Sequence, residues 1–275
     1  MRLFLLLAIS GFAAAASAGQ LPDAAAFDPE GAAIVLLGEV HDNPVHHENQ
    51  VTVLAAMQPS ALVFEMLDAK QATLANQVDR GDAAALAGAL DWAQSGWPDF
   101  ALYYPIFRAA PDVPVYGAAV SREDLMAAMR DGAAAVFGAE AARFGLDPLP
   151  QEVQAAREAF QMAAHCNALP APMLPGMVEA QRLRDARFSA MALQALRDTG
   201  GPVAVITGNG HARRDWGMPA NLTAAAPELR VVTLAQFEEA APAGEVPQDF
   251  WLITEAAARE DPCAVFTKPS DEPPE

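Results

Sequence analysis

The stretch VLLGEVHDNPVHHENQ, residues 35–50, holds three of the chain's five histidines and three of its carboxylates. Imidazoles and carboxylates are the groups that move protons and hold metal ions. Further along, single chemistry-bearing residues follow other apolar runs: Glu65 after ALVF, and Gly208-Asn209-Gly210-His211 after VAVIT. Glu39, His41, Glu65, Asn209 and His211 all stand just behind β-like runs. A parallel sheet would gather them at its carboxyl edge, where ligands settle in such folds. Taken singly, a glutamate there serves as well to cap the next helix, and a histidine to satisfy a structural hydrogen bond. Two acids and two imidazoles meeting at one edge point instead to a shared pocket.

The elements that must carry these residues have clear signals. Continuous, β-branched runs predict strands from Ala32 to Leu37, Ala61 to Phe64, Val113 to Tyr116, Val203 to Thr207 and Arg230 to Leu234. Their lack of period-two alternation suits strands covered on both faces. Asn43 before Pro44 predicts an N-cap and first helical residue, launching a helix to about Met57. Asp68 with Gln71 reads as a capping box, and Ser121 with Asp124 has the same spacing. Alternating strands and helices predict the α/β class: a mostly parallel sheet with helices on both faces. From about 121 to 200 the pattern is helical only, which predicts an insertion or lid. His46 and His47 are neighbours on the first helix and point about 100° apart, so only one can look toward the crevice, with Gln50 one turn beyond His46.

Three other segments carry candidate chemistry. The run SGWPDFALYYPIFRAA, residues 95–110, is rich in aromatic rings, which serve either as core or as the wall of a flat apolar ligand. It contains Tyr103 and Tyr104, and a tyrosine phenolate can ligate ferric haem. In AAHCNALP, His165 sits beside Cys166 at a helix end. In MVEAQRLRDARF, Gln181, Arg184, Asp185 and Phe188 share one helical stripe, fit for clamping propionates through Arg184 or for facing solvent.

Composition bounds the rest. With 52% hydrophobic and 19% charged residues, the 275-residue chain is globular and long enough to bury a sizeable core. Arg2, the apolar run LFLLLAISGF and Ala16-Ser17-Ala18 predict a signal peptide over residues 1–18, cleaved after Ala18, and export to the periplasm. That run is short for a bilayer and no other segment is longer, so no transmembrane span is expected in the mature chain. A single domain is expected over 19–266, followed by a frayed tail at 267–275. The only two cysteines, Cys166 and Cys263, are expected to pair in an oxidising compartment. Losing Arg2 with the leader moves the formal charge from −18 to −19, which repels nucleic acid.

Together, GEVHDNPVHHENQ, FEM, GWPDFALYYPIFRAA, HCNALP, MVEAQRLRDARF and ITGNGHARRDWGMP resemble the ChaN-like haem-binding uptake proteins of the Tiki/TraB-like superfamily. The resemblance runs from about Ile34 to Leu222. It implies an exported α/β protein that binds haem in iron acquisition, with pairs of subunits enclosing stacked haems and tyrosine on the iron. Here it points to Tyr103 or Tyr104 as ligand, with His46, His47 and His165 as candidates to ligate or hydrogen-bond nearby, and to a homodimer. Several relatives are lipoproteins, whereas this chain lacks the lipidation cysteine. The wider superfamily also includes metal-dependent hydrolases. Its matching positions, Glu39, His41, Glu65 and His211, offer an alternative in which Zn, Mn or Co is held and activates a water, with Glu39 or Glu65 as catalytic base.

Overall fold

Among the described residues, seven strands form one sheet in which every pair is parallel, in the order β1-β7-β6-β2-β5-β3-β4. The strands are β1 (Gly19–Gln20), β2 (Ile34–Glu39), β3 (Ala61–Phe64), β4 (Val115–Gly117), β5 (Val203–Gly208), β6 (Val231–Glu238) and β7 (Phe250–Thr254). This computed structural model describes residues 19–264, so the expected signal peptide and the 267–275 tail lie outside it.

The apolar runs become central strands because both their faces are covered. Val35 and Leu37 of β2 join Leu62, Phe64, Ala204 and Ile206 in one core. Ile34 and Leu36 join Ala61, Val63, Val203 and Val205 in a second core on the opposite face. α1 (Pro44–Met57) contributes Val53 and Leu54 to the first core, and α4 (Phe100–Ala109) adds Tyr103, Ile106 and Phe107. α8 (Leu174–Thr199) and α9 (Met218–Ala225) supply Leu183, Phe188, Met218 and Leu222 to the second. Two methylene-rich layers of this kind, each side chain worth about 1.5–3 kcal/mol when buried, dominate the folding free energy.

Local signals set the helix ends. Asn43 accepts from Val45 N–H and Pro44 opens α1, Asp68 and Gln71 form the reciprocal capping box of α2 (Ala69–Ala75), and Asp82 caps α3 (Ala83–Ala89). Ser121 accepts from Asp124 N–H at the start of α5 (Arg122–Asp131). Two differences from the sequence reading have physical causes. The strand expected from Val113, β4, begins at Val115, beyond Pro114, which lacks the N–H that a ladder needs. β1 and β7 lie at one edge, where Phe250 pairs with Leu234 of β6 and with Gly19, a register fixed by contacts distant in sequence.

Between β4 and β5 the chain forms α5, α6 (Ala133–Phe137), α7 (Gln151–Ala164) and α8, after which β5 returns to the middle of the sheet. α8 packs directly on β3, β4 and β5 and forms part of the covering layer. α7 lies outside it, and Cys166, just past α7, is bonded to Cys263 near the end of the described chain.

β2 and β5 are neighbours whose onward connections leave on opposite faces: α1 leads from β2 to β3, and α9 leads from β5 to β6. Such a reversal opens a crevice at the carboxyl ends of the two strands. Glu39, the last residue of β2, pairs there with Gly208 of β5.

The disulfide closes a separation of 97 residues, so replacing both cysteines with serine is expected to lower the unfolding free energy by about 2–4 kcal/mol. Urea denaturation reads the difference, and an unchanged midpoint would contradict it.

Candidate functional site

Glu39 occupies the crevice floor with its side chain fully buried. A carboxylate can stay charged there only if donors replace water. Its Oε1 accepts from Tyr103 Oη at 2.8 Å and from His41 Nδ1 at 2.8 Å, and its Oε2 accepts from Gln50 Nε2 at 2.8 Å. Three elements thus converge on one carboxylate: α4, the loop after β2, and α1.

His41 is the member that reaches the opening, with its side chain one-third exposed and its ring edge-on to Trp97 at 4.8 Å. Its ring also lies on the backbone of Gly208, where a Cβ would come within 3.0 Å of Nε2. Burial lowers the His41 pKa, but the hydrogen bond it donates to Glu39 and the charges of Glu65 and Glu39 outweigh this and raise it overall. A carboxylate on Nδ1 with Nε2 toward the crevice is the arrangement that lets an imidazole exchange protons with a bound molecule.

A second buried group flanks the first. Glu65, just beyond β3, accepts from Thr207 Oγ1 at 2.7 Å and Gly208 N–H at 2.8 Å through Oε2. Its Oε1 lies 3.4 Å from His211 Nε2, and His211 Nδ1 donates to Asp185 of α8 at 2.6 Å. With a carboxylate at each ring nitrogen, His211 is an imidazolium. Burial would depress its pKa, but the charges of Glu65 and Asp185 push it up to about 10. The same contact holds Glu65 far below the usual carboxylate range although burial alone would raise it, whereas burial raises Asp185. Gln181 lies 3.1 Å from His211 Nδ1, and the Phe188 ring is 4.8 Å from the imidazole. Gly217 is required here because the loop folds back so closely that a Cβ would collide with the His211 carbonyl oxygen.

The sheet edge therefore brings together Glu39, His41, Glu65 and His211, but as two hydrogen-bonded groups. Among the described residues no set of three or more His, Cys, Asp or Glu side chains is arranged to hold a metal ion. This departs from the expected Zn, Mn or Co set, because Glu39, Glu65 and His211 are already engaged by protein partners. Asn209 bridges to β6 through the Gln236 backbone.

The other histidines divide by environment. His46 is fully buried; its Nδ1 accepts from Val40 N–H at 2.8 Å and its Nε2 donates to Thr254 Oγ1 at 2.9 Å. Burial keeps it neutral, with its pKa lowered to about 4. His47, also buried, donates from Nε2 to the His41 carbonyl at 2.9 Å and packs edge-on against Tyr103 at 4.4 Å. His165 is half-buried at the end of α7; its Nδ1 donates to the Gln161 carbonyl at 2.8 Å, and Nε2 has no protein partner among the described residues.

Tyr103 is fully buried, and burial with the adjacent Glu39 charge pushes its phenol well above the ordinary tyrosine range. The Tyr104 hydroxyl donates to the Gly81 carbonyl at 2.9 Å. Much of the aromatic run is core: Phe107 stacks on Phe64 at 4.5 Å, and Tyr103 packs on Trp92. Arg184 is half-buried on α8 without a hydrogen-bond or ion-pair partner among the described residues. The sequence reading did not anticipate that Gln181, Asp185 and Phe188 cradle His211. Their i, i+4, i+7 spacing marked one face of α8 but not the element it meets.

Two measurements check this geometry. Tyr103→Phe removes a hydrogen bond to a buried charge and is expected to cost about 1.5–3 kcal/mol of stability, read by chemical denaturation. The raised His211 pKa contributes stability that is fully present below its ordinary value of 6.5 and is lost as pH rises through about 10. Stability should therefore decline across that window, and His211→Gln should flatten the decline; a wild-type profile level over the same range would contradict the assignment.

Comparison with known proteins agrees with this architecture. No curated protein matches the chain in sequence. Among solved structures, the cofacial haem-binding ChaN of Campylobacter jejuni superposes with a TM-score of 0.60 at 19% identity, over 80% of this chain and 85% of that one, a likeness of fold. The type III effector HopBA1 gives a TM-score of 0.46 at 11% identity, over 82% of this chain and 88% of that one. The family model described as haem-binding uptake, Tiki superfamily, ChaN matches residues 28–222. The chain, with its two-sided parallel sheet and acid-histidine crevice, belongs to the haem-binding uptake family ChaN of the Tiki superfamily.

Proposed function

We propose that this protein binds haem as cargo at the exposed end of the α7–α8 pair, with His165 Nε2 as the iron ligand, and that it works in haem handling as an exported, periplasmic homodimer. The observation that carries the reading is the His165 hydrogen bond to the Gln161 carbonyl. It fixes the proton on Nδ1 and leaves the Nε2 lone pair for a metal. The disulfide at Cys166 anchors the residue next in sequence.

The surroundings suit a porphyrin. Residues 159–178 contain no Asp, Glu, Lys or Arg in a chain of net charge −18. Within that stretch Phe160 is 39% and Met173 42% exposed, apolar area that a flat hydrophobic ligand or a second subunit would cover. Haem held there would supply a ferric iron able to take an imidazole ligand. Tyr103 suits the role less well, because a phenolate would place a second buried negative charge against Glu39. The disulfide also supports export to an oxidising compartment.

Hemin titrated into the purified protein is expected to give a Soret shift. His165→Ala should weaken binding about 100-fold or abolish the shift, whereas Tyr103→Phe should retain it. Free-hemin spectra at micromolar protein, or a shift lost with Tyr104→Phe and kept in His165→Ala, would overturn the assignment. Sedimentation with and without hemin reads the dimer.

A further inference from the structure

A narrow cleft with about 20 Å³ of free space lies between α7, α8 and the loop after His211. Its apolar walls include Phe160 and Trp216, whose rings meet edge-on at 5.7 Å. Two guanidinium groups lie over the Trp216 ring, Arg213 at 4.3 Å and Arg157 at 5.6 Å. Their electrostatic situations differ. Arg213 is neutralised by Asp215 through contacts of 3.0 and 2.7 Å. Arg157 has no hydrogen-bond partner among the described residues, and its Nε is buried and unsatisfied.

The nearby acids are already engaged. Asp185 is held by His211 at 2.6 Å, Asp215 by Arg213, and Glu179 by Arg182 at 2.7 Å. Arg157 thus makes no contact ion pair, and the charges of Asp185, Asp215 and Glu179 act on it only from a distance. A buried guanidinium donor left unmade is unfavourable, and an arginine stacked on an aromatic face keeps its in-plane N–H groups free for the two oxygens of a carboxylate. Gln161 and Gln181 add amides to the same cleft.

We propose that this cleft is a carboxylate-binding subsite anchored by Arg157. The inference rests on the haem reading for the source of the carboxylate, a porphyrin propionate. Gln161 joins the two places: its side chain lines the cleft and its carbonyl fixes His165, which stands one helical turn further along the chain. A free small carboxylic acid offers the same chemistry, and the test separates the two sources.

Metal-free protoporphyrin IX, its dimethyl ester and benzoate are each added to the full-chain wild type, Arg157→Gln and Arg157→Lys, with affinity read by absorbance and thermal stability by melting. Omitting iron removes any contribution from His165. Arg157→Gln is expected to weaken the free-acid porphyrin about tenfold or more, Arg157→Lys less, and the ester should bind all three alike. Because Arg157 makes no hydrogen bond or ion pair among the described residues, both variants should fold, with unliganded melting temperatures close to wild type. Equal affinity of wild type and Arg157→Gln for the free acid overturns the subsite and leaves the haem reading standing. Binding of hemin but not of the iron-free porphyrin would overturn the subsite and leave the haem reading standing; if the wild type binds neither, the haem reading falls. Benzoate raising the melting temperature of wild type but not of Arg157→Gln would then support the subsite with a free acid as its ligand, and no benzoate effect would overturn it.

Discussion

The dehydrated carboxylate of Glu39 is the constraint around which this fold is arranged. A charge at the end of a central strand, away from water, must have its lone pairs filled by the protein. Those lone pairs determine where α1 and α4 sit, since Gln50 and Tyr103 must reach the same two oxygens. They also set the His41 tautomer, with its proton on Nδ1 toward Glu39. His41 in turn rests on Gly208, whose N–H belongs to Glu65, so the two charged groups share the β5 backbone. Removing one partner of such a network leaves its neighbours unpaired, a greater loss than one hydrogen bond.

The histidine-rich stretch after β2 does structural service more than its composition suggests. His46 ties the Val40 backbone to Thr254 of β7, and His47 ties α1 to the His41 carbonyl. Each holds the loop that presents His41. Under the proposed function the iron ligand is instead His165, about 120 residues downstream, where a carbonyl holds one ring nitrogen and leaves the other without a protein partner among the described residues. Charge is distributed in the same sense: the acid-histidine groups are packed into the sheet edge, while residues 159–178 at the end of α7 and start of α8 carry no charged side chain.

The central strands were legible because burial on both faces leaves an unbroken apolar signature, and the caps at Asn43, Asp68 and Ser121 because they depend on neighbours within three residues. Edge strands β1 and β7 were not, since Gly19–Gln20 is too short to carry a pattern and FWLIT gains its identity only from β6. The convergence of Glu39, His41, Glu65 and His211 followed from the strand ends alone. Which lone pairs remain open did not follow. That depends on Tyr103, Asp185 and Gln181 arriving from helices whose facing no local rule specifies. Tyr103 illustrates the gap: an aromatic-rich segment predicts packing or a ligand wall equally well, and only the fold aims its hydroxyl at a carboxylate.

The most direct test of haem held through His165 is electron-nuclear double resonance on hemin-loaded protein carrying 15N-labelled histidine. The account predicts a strongly coupled histidine nitrogen on the iron that disappears in His165→Ala. A phenolate signature on the iron, with no histidine nitrogen coupling, would contradict it.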